Sequence, residues 1–192
     1  DCTKLEKVTL NEGLVTIGNR AFGSTKISSV YIPTTLKNVE MESMNYTGPF
    51  YNCASLNDIE FGAGITAISD YLFYYCNGIT EIEIPDTVTT IGKRAFGSCP
   101  SLKNVEISSS VKTIGIGAFE ECGNITEVEI PSNVTVLGSY AFEDCTKLEK
   151  VTLNEGLVTI GDRAFGNTKI TSVYIPDTLT NVEMNYMYYH GP

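Results

Sequence analysis

Cysteine recurs every 23 residues through the middle of this chain, at Cys53, Cys76, Cys99, Cys122 and Cys145, and Cys2 holds the same place in an earlier unit. A fixed period in this range marks a solenoid, in which each unit is one coil that cannot bury its apolar face until a neighbour stacks on it. The rest of the unit recurs in step. Leu102-x-x-Val105-x-Ile107, Val111-x-x-Ile114-Gly115 and Ala118-Phe119-x-x-Cys122 are followed by Ile125-x-x-Val128-x-Ile130, Val134-x-x-Leu137-Gly138 and Ala141-Phe142-x-x-Cys145. Units beginning at Leu5, Ile27, Leu56, Ile79, Leu148 and Ile170 fit the same frame, so about eight coils of 22–23 residues are expected, the last incomplete. Thr25 and Thr168 take the cysteine slot in the two shorter units, and an insertion lies at residues 40–48.

A longer repeat lies over the short one. Asp1–Met41 matches Asp144–Met184 at every position except Asn19/Asp162, Ser24/Asn167, Ser28/Thr171, Thr34/Asp177 and Lys37/Thr180. Neither end has the polar, atypical repeat that caps a solenoid. Residues 1–192 are therefore read as a single solenoid domain excerpted from a longer array.

Each unit has a physical reading. Leu-x-x-Val-x-Ile is a short strand with Val and Ile pointing inward. Pro33, Pro85, Pro131 and Pro176 follow that strand and stop it, because proline cannot donate to a ladder. The next apolar pair, such as Val111 and Ile114, suits a second extended stretch. Gly92, Gly115, Gly138 and Gly161 are expected to permit a turn. Ala-Phe-x-x-Cys suits one helical turn with Ala and Cys on one face and Phe filling the coil. Strands of successive coils would pair in parallel at about 4.8 Å, so equivalent residues form ladders.

These motifs resemble the BspA-type (Treponema-type) leucine-rich repeats. The resemblance covers essentially the whole chain and implies a right-handed leucine-rich-repeat solenoid, β-rich, with parallel strands on the concave side and short helical turns elsewhere. It further implies a bacterial or protist protein that is extracellular or on the cell surface and adheres to host matrix or cell-surface proteins. Adjacent repeats of the same chain are the other partners that such a coil requires.

The cysteine ladder reads as buried free thiols, since buried cysteine behaves as a small apolar residue. The alternatives are disulfides between neighbouring coils or a metal role. The 23-residue spacing has no ligands two to five residues apart, as common zinc sites require.

The outward strand positions form a ladder of a different kind. Asp58, Glu60, Glu81, Glu83, Glu106, Glu127 and Glu129 make an acidic strip over the middle coils. One reading is a solvated face that keeps the array soluble; the other is a recognition surface for a basic partner. A flat strip supplies too few oxygens for calcium, which takes six to eight, so no metal or other cofactor is expected. Tyr46 and Tyr51, in and beside the insertion, are candidate contacts, because tyrosine couples apolar area to a hydroxyl.

Composition narrows the classes further. The 23 acidic against 13 basic residues, net charge −10, argue against nucleic acid, whose phosphates demand a positive footprint. No run approaches the ~20 apolar residues of a membrane span, so no membrane insertion is expected in this segment. The one histidine is His190, and no nucleophile–base pair or phosphate-binding loop is present, so catalysis is not expected. Asn45-Tyr46-Thr47, Asn124-Ile125-Thr126 and Asn133-Val134-Thr135 fit the glycosylation sequon. Two functions fit all of this: a surface adhesion or protein-binding module, and a passive stalk that presents another domain.

Overall fold

The computed structural model describes residues 2–40 and 47–183. Fourteen short strands follow one another among these residues, and none of the described residues is helical. In chain order they are β1 Thr16–Gly18, β2 Ser29–Ile32, β3 Asn38–Glu40, β4 Asp58–Phe61, β5 Ala67–Ile68, β6 Glu81–Glu83 and β7 Thr90–Ile91. They continue with β8 Asn104–Glu106, β9 Thr113–Ile114, β10 Glu127–Ile130, β11 Val136–Leu137, β12 Lys150–Leu153, β13 Thr159–Ile160 and β14 Asn181–Val182. Every pairing is parallel and joins residues one coil apart, as Val136↔Thr113 and Glu83↔Glu106 show. The chain is thus a parallel β-solenoid of about seven turns. Each of the six middle coils has a first strand, a second strand and a turn segment; the outer coils contribute only the second strands β1 and β14.

The turn out of the first strand forms as the prolines predict. Val88 N–H donates to Pro85 O at 2.9 Å and Val134 N–H to Pro131 O at 3.0 Å, so the proline that cannot donate accepts instead.

The segment around Ala-Phe-x-x-Cys is not the expected helical turn. Ala95 and Gly97 N–H groups bond locally, to Gly92 O and Arg94 O. Arg94, Phe96 and Ser98 N–H groups instead reach the next coil, at Ile116, Ala118 and Glu120 O, at 2.9, 2.9 and 2.6 Å. A helix would turn all these donors inward; alternate donors serve the neighbouring coil here. The chain manages this with two consecutive tight turns, each closed by a left-handed residue. Arg94 (φ 49°) and Ser98 (φ 52°) are one such pair, and Tyr140 (φ 62°) and Asp144 (φ 58°) another. For a residue with a Cβ this conformation costs about 1 kcal/mol or more, which the coil-to-coil bonds offset.

Between the three sides lies a continuous core. Phe22, Phe50, Phe73, Phe96, Phe119, Phe142 and Phe165 stack with centroids 5.1–5.8 Å apart. The five ladder cysteines are buried and free, and only Cys2 is exposed. Their thiols point at carbonyls of the preceding coil: Cys99 Sγ donates to Phe73 O at 3.2 Å and Cys122 Sγ to Phe96 O at 3.1 Å. Where threonine replaces cysteine, the hydroxyl turns to its own coil, Thr25 to Phe22 O and Thr168 to Phe165 O.

The glycine ladder serves a different purpose from the one expected. Gly92, Gly115, Gly138 and Gly161 are not at positive φ. They sit where one coil's backbone lies against the next. A Cβ on Gly138 would stand 2.7 Å from Gly115 C and from Ile116 N, and one on Gly161 would stand 2.1 Å from Ser139 N. The second strands of these coils form a six-stranded ladder, β5-β7-β9-β11-β13-β14. β1 and β3 pair separately, and β3 is not bonded to β5. In register with the glycines, the ladder reads Gly18, Glu40, Ser69, Gly92, Gly115, Gly138, Gly161, Glu183. Every bonded step has a glycine on at least one side; Glu40 to Ser69 is the step with none. A cleft of about 450 Å³ opens there between Lys37–Val39 and Ile65–Asp70.

Gly138→Ala is expected to destabilise the chain by about 1–3 kcal/mol through overpacking. Gly18→Ala is expected to change it little, because a Cβ there meets nothing within 4 Å. Urea midpoints of the two variants check this; equal midpoints would remove close backbone approach as the reason for the ladder. Iodoacetamide at mildly alkaline pH should label Cys2 promptly. Burial pushes the Cys76 thiol up to about 12 and that of Cys99 well above the ordinary range. All five ladder cysteines are buried, so they should stay unlabelled by mass spectrometry until the chain unfolds.

Candidate binding surface

The first strands carry the acidic residues outward because side chains alternate along a strand. Val128 and Ile130 are buried while Glu127 and Glu129 are exposed, and Ile82 is buried between exposed Glu81 and Glu83. Asp58, Glu60 and Glu106 are likewise exposed. The structure therefore brings all seven strip carboxylates onto one face. Of these seven carboxylates only Glu127 has an ion pair among the described residues, with Lys150 at 3.2 Å, and both side chains are largely in water. Such a pair contributes little. Glu129 Oε1 accepts from Asn154 Nδ2 at 2.9 Å.

These strands bond only in pairs: β2-β4, β6-β8 and β10-β12. Between β4 and β6 the step sets Asp58 beside Glu81 and Glu60 beside Glu83, acid against acid at both outward positions. Like charges directly opposite on neighbouring strands destabilise the pairing. The bonded steps are mixed: at β10-β12 Glu127 faces Lys150 and Glu129 faces Thr152, while at β6-β8 Glu83 faces Glu106 across a formed ladder. A depression of about 400 Å³ lies over the open step, with Ile59, Phe61 and Ile82 beneath the carboxylates.

The tyrosine candidates lie elsewhere. Tyr46 falls outside the described residues. Tyr51 is half-buried on the turn side, under the Arg20 guanidinium at 4.8 Å and beside the Tyr75 ring at 5.7 Å. It does not join the acidic face. The same side holds Tyr71 and Tyr74, both largely buried, and the Arg94 guanidinium 5.7 Å from the Tyr74 ring. Arg94 Nη2 donates to Glu120 Oε1 at 3.3 Å; its Nε lies 2.8 Å from Glu120 Oε2, but off the hydrogen-bonding direction. Burial pushes the Glu120 carboxyl up, against the opposing pull of Arg94. Gly117 (φ +60°) leaves room for this pair: a Cβ there would stand 2.7 Å from Glu120 Oε2 and 3.0 Å from Arg94 Cγ. The spacing of Arg94 and Glu120, one coil and three residues apart, is the sequence signal for the pair.

Glu12 and Glu155 occupy equivalent places in the two copies of the long repeat and act as clamps between coils. Glu12 accepts from Thr34 N–H, Thr34 Oγ1 and Tyr31 Oη; Glu155 accepts from Tyr174 Oη at 2.9 Å and from Asp177 and Thr178 N–H. The Thr34 N–H, then the Thr34 and Tyr31 hydroxyls, pull the Glu12 carboxyl below its ordinary range. Tyr174 does most to lower Glu155. The same bonds raise Tyr31 and Tyr174 above 10.0.

The sequence matches the BspA type leucine rich repeat region in six copies, over residues 1–79 and 66–191. The chain belongs to the BspA-type leucine-rich repeat family. A leucine-rich repeat protein from Bacteroides ovatus is 26% identical, with a TM-score of 0.62 over 88% of this chain and 49% of its own. The T. pallidum leucine rich repeat protein is 28% identical, with a TM-score of 0.62 over 80% of this chain and 71% of its own. A leucine rich cell surface protein from Faecalibacterium prausnitzii, 21% identical, shares the fold with a TM-score of 0.57 over 95% of this chain and 60% of its own. This leucine-rich repeat chain thus spans about half the length of the Bacteroides ovatus protein. No curated protein matches it in sequence. Among its described residues no helix is long and apolar enough to cross a membrane.

The lowered carboxyls of Glu12 and Glu155 set a pH dependence. Their bonds stabilise the fold fully above the ordinary carboxyl range, and the contribution is lost as pH falls through their lowered values. Thermal unfolding from pH 6 downward should show the melting temperature falling less steeply in Glu12→Gln and Glu155→Gln than in the parent. Parallel curves would show that the clamps do not titrate as drawn. In alkaline titration by ultraviolet absorbance, Glu12→Gln should return one tyrosine toward 10.

Proposed function

We propose that this chain is a non-catalytic protein-binding module of a bacterial cell surface, and that it engages a basic partner through the acidic strand face. The observation that carries this reading is the strip itself. Asp58, Glu60, Glu81, Glu83, Glu106, Glu127 and Glu129 share one exposed face. In leucine-rich repeat solenoids the strand face lines the concave side, which is the side these proteins use as an extended contact surface. Apolar side chains beneath the carboxylates, Ile59, Phe61 and Ile82, supply the area that a contact buries. The surface location draws on the family and on a fold neighbour described as a cell surface protein. Host matrix and cell-surface proteins with basic patches are the partners of matching charge. Such a face speeds encounter and selects partners more than it adds raw affinity.

The test is a binding screen of the chain against immobilised matrix and cell-surface proteins at low and physiological salt, beside the Glu83/Glu106/Glu129→Gln variant. Saturable binding should weaken with salt and fall by about tenfold or more in the variant, since each lost charge contact is a fraction of the 1.4 kcal/mol that makes a factor of ten. Binding unchanged in a folded variant would move recognition off the strip. No partner at all would favour the spacer role.

A further inference from the structure

The cleft at the Glu40–Ser69 step is a gap in a sheet, and its two walls keep the hydrogen-bonding groups that a bonded step would use. At bonded steps one carbonyl receives two N–H groups of the next coil. Val15 O takes Lys37 and Asn38 N–H at 2.9 and 3.1 Å, and Thr135 O takes Val158 and Thr159 N–H at 3.0 Å each. The strand then closes with a third bond, such as Gly92 N–H to Ile68 O at 2.9 Å. At the open step the corresponding groups are Lys37 O and Val39 O on one wall, and Thr66, Ala67 and Ser69 N–H on the other. No main-chain bond joins the two walls. Behind the walls, β3 is held by β1 and β5 by β7, so both edges are anchored.

We propose that this cleft receives a short extended peptide strand from a partner protein, laid parallel between β3 and β5. Strand addition of this kind draws affinity from main-chain bonds and specificity from alternate side chains. The guest would donate N–H groups to Lys37 O and Val39 O and accept from Thr66, Ala67 and Ser69 N–H. Its inward side chains would meet Leu36, Val39, Ile65 and Ile68. Among the described residues lining it, Lys37 and Asp70 carry opposite charges. The chain itself contains a strand in this situation: β9 lies between β7 and β11, bonded on both edges, with Ile114 inward and Thr113 half-exposed. A guest of that alternating β-branched and polar pattern fits the slot. The slot is anchored on both sides, so it takes one strand and does not propagate as an open sheet edge would.

The probe is a capped peptide of Ser110–Gly115, this chain's own β9 segment, added to the isotope-labelled chain and read by amide hydrogen exchange. In the free chain, Thr66, Ala67 and Ser69 amides should exchange like those of a loop. Millimolar peptide should slow them saturably, by about tenfold or more, while loop amides far from the cleft stay unchanged. The same peptide N-methylated at Thr113 should lose most of the effect, because a donor to the Lys37 wall is gone. Ser69→Gly removes the Cβ at the step, and in that variant the amides should be slow without peptide and indifferent to it. Amides already slow in the parent chain, or no saturable change with peptide, would overturn the proposal. Equal response of the Ser69→Gly variant would place the peptide elsewhere and overturn it as well.

Discussion

Close approach of one main chain to the next, coil after coil, is the constraint on which everything else in this molecule rests. Parallel strands sit about 4.8 Å apart, and at that spacing each coil must match its neighbour atom for atom. This is why the phenylalanines stack with centroids just over 5 Å apart, why thiols point at carbonyls a coil away, and why glycine holds the crossing point of the second strands. It also dictates the turn segment. A helix satisfies its own donors and offers nothing to a neighbour; alternating local and coil-to-coil bonds lets the third side join the stack. The twelve non-glycine residues at positive φ among the described residues are the conformational cost of that arrangement.

The period and the apolar spacing made the repeat unit, the strands and the buried cysteines legible in the sequence. Each depends on residue type at a fixed offset, and burial follows from the offset. The turn segment is not legible, because Ala-Phe-x-x-Cys has helical spacing. What overrides that spacing is a partner coil, which no single unit displays. The role of the glycines is hidden for a similar reason: glycine marks both conformational freedom and lack of room, and only the position of the next backbone distinguishes them. The cleft has a signal in the sequence, the pair Glu40 and Ser69 in a register otherwise held by glycine on at least one side.

Of the candidate site, the strip was legible because strand alternation is simple geometry. Its splitting into bonded pairs is not legible, because acid faces acid at the open β4-β6 step and also at the bonded β6-β8 step, where Glu83 lies opposite Glu106. Tyr51 shows the opposite limit. Its place in the sequence puts it beside an insertion, but the side of the coil it occupies depends on turn geometry that spacing alone does not reveal. The strip and the cleft lie on different sides of the coil, one charged and shallow, the other narrow and lined by main chain.

The bonds between coils run along the axis of the stack. Tension applied along that axis does not shear many bonds at once, as it does when neighbouring strands are pulled in opposite directions along their length. It loads the steps in series, so that each step bears the full force and yields by its own bond count. Such a rod lengthens by peeling, one coil at a time, at forces set by its poorest joint. At the step from Glu40 to Ser69 the second strands are unbonded, so the load there passes to the β2-β4 ladder and the Phe50–Phe73 stack.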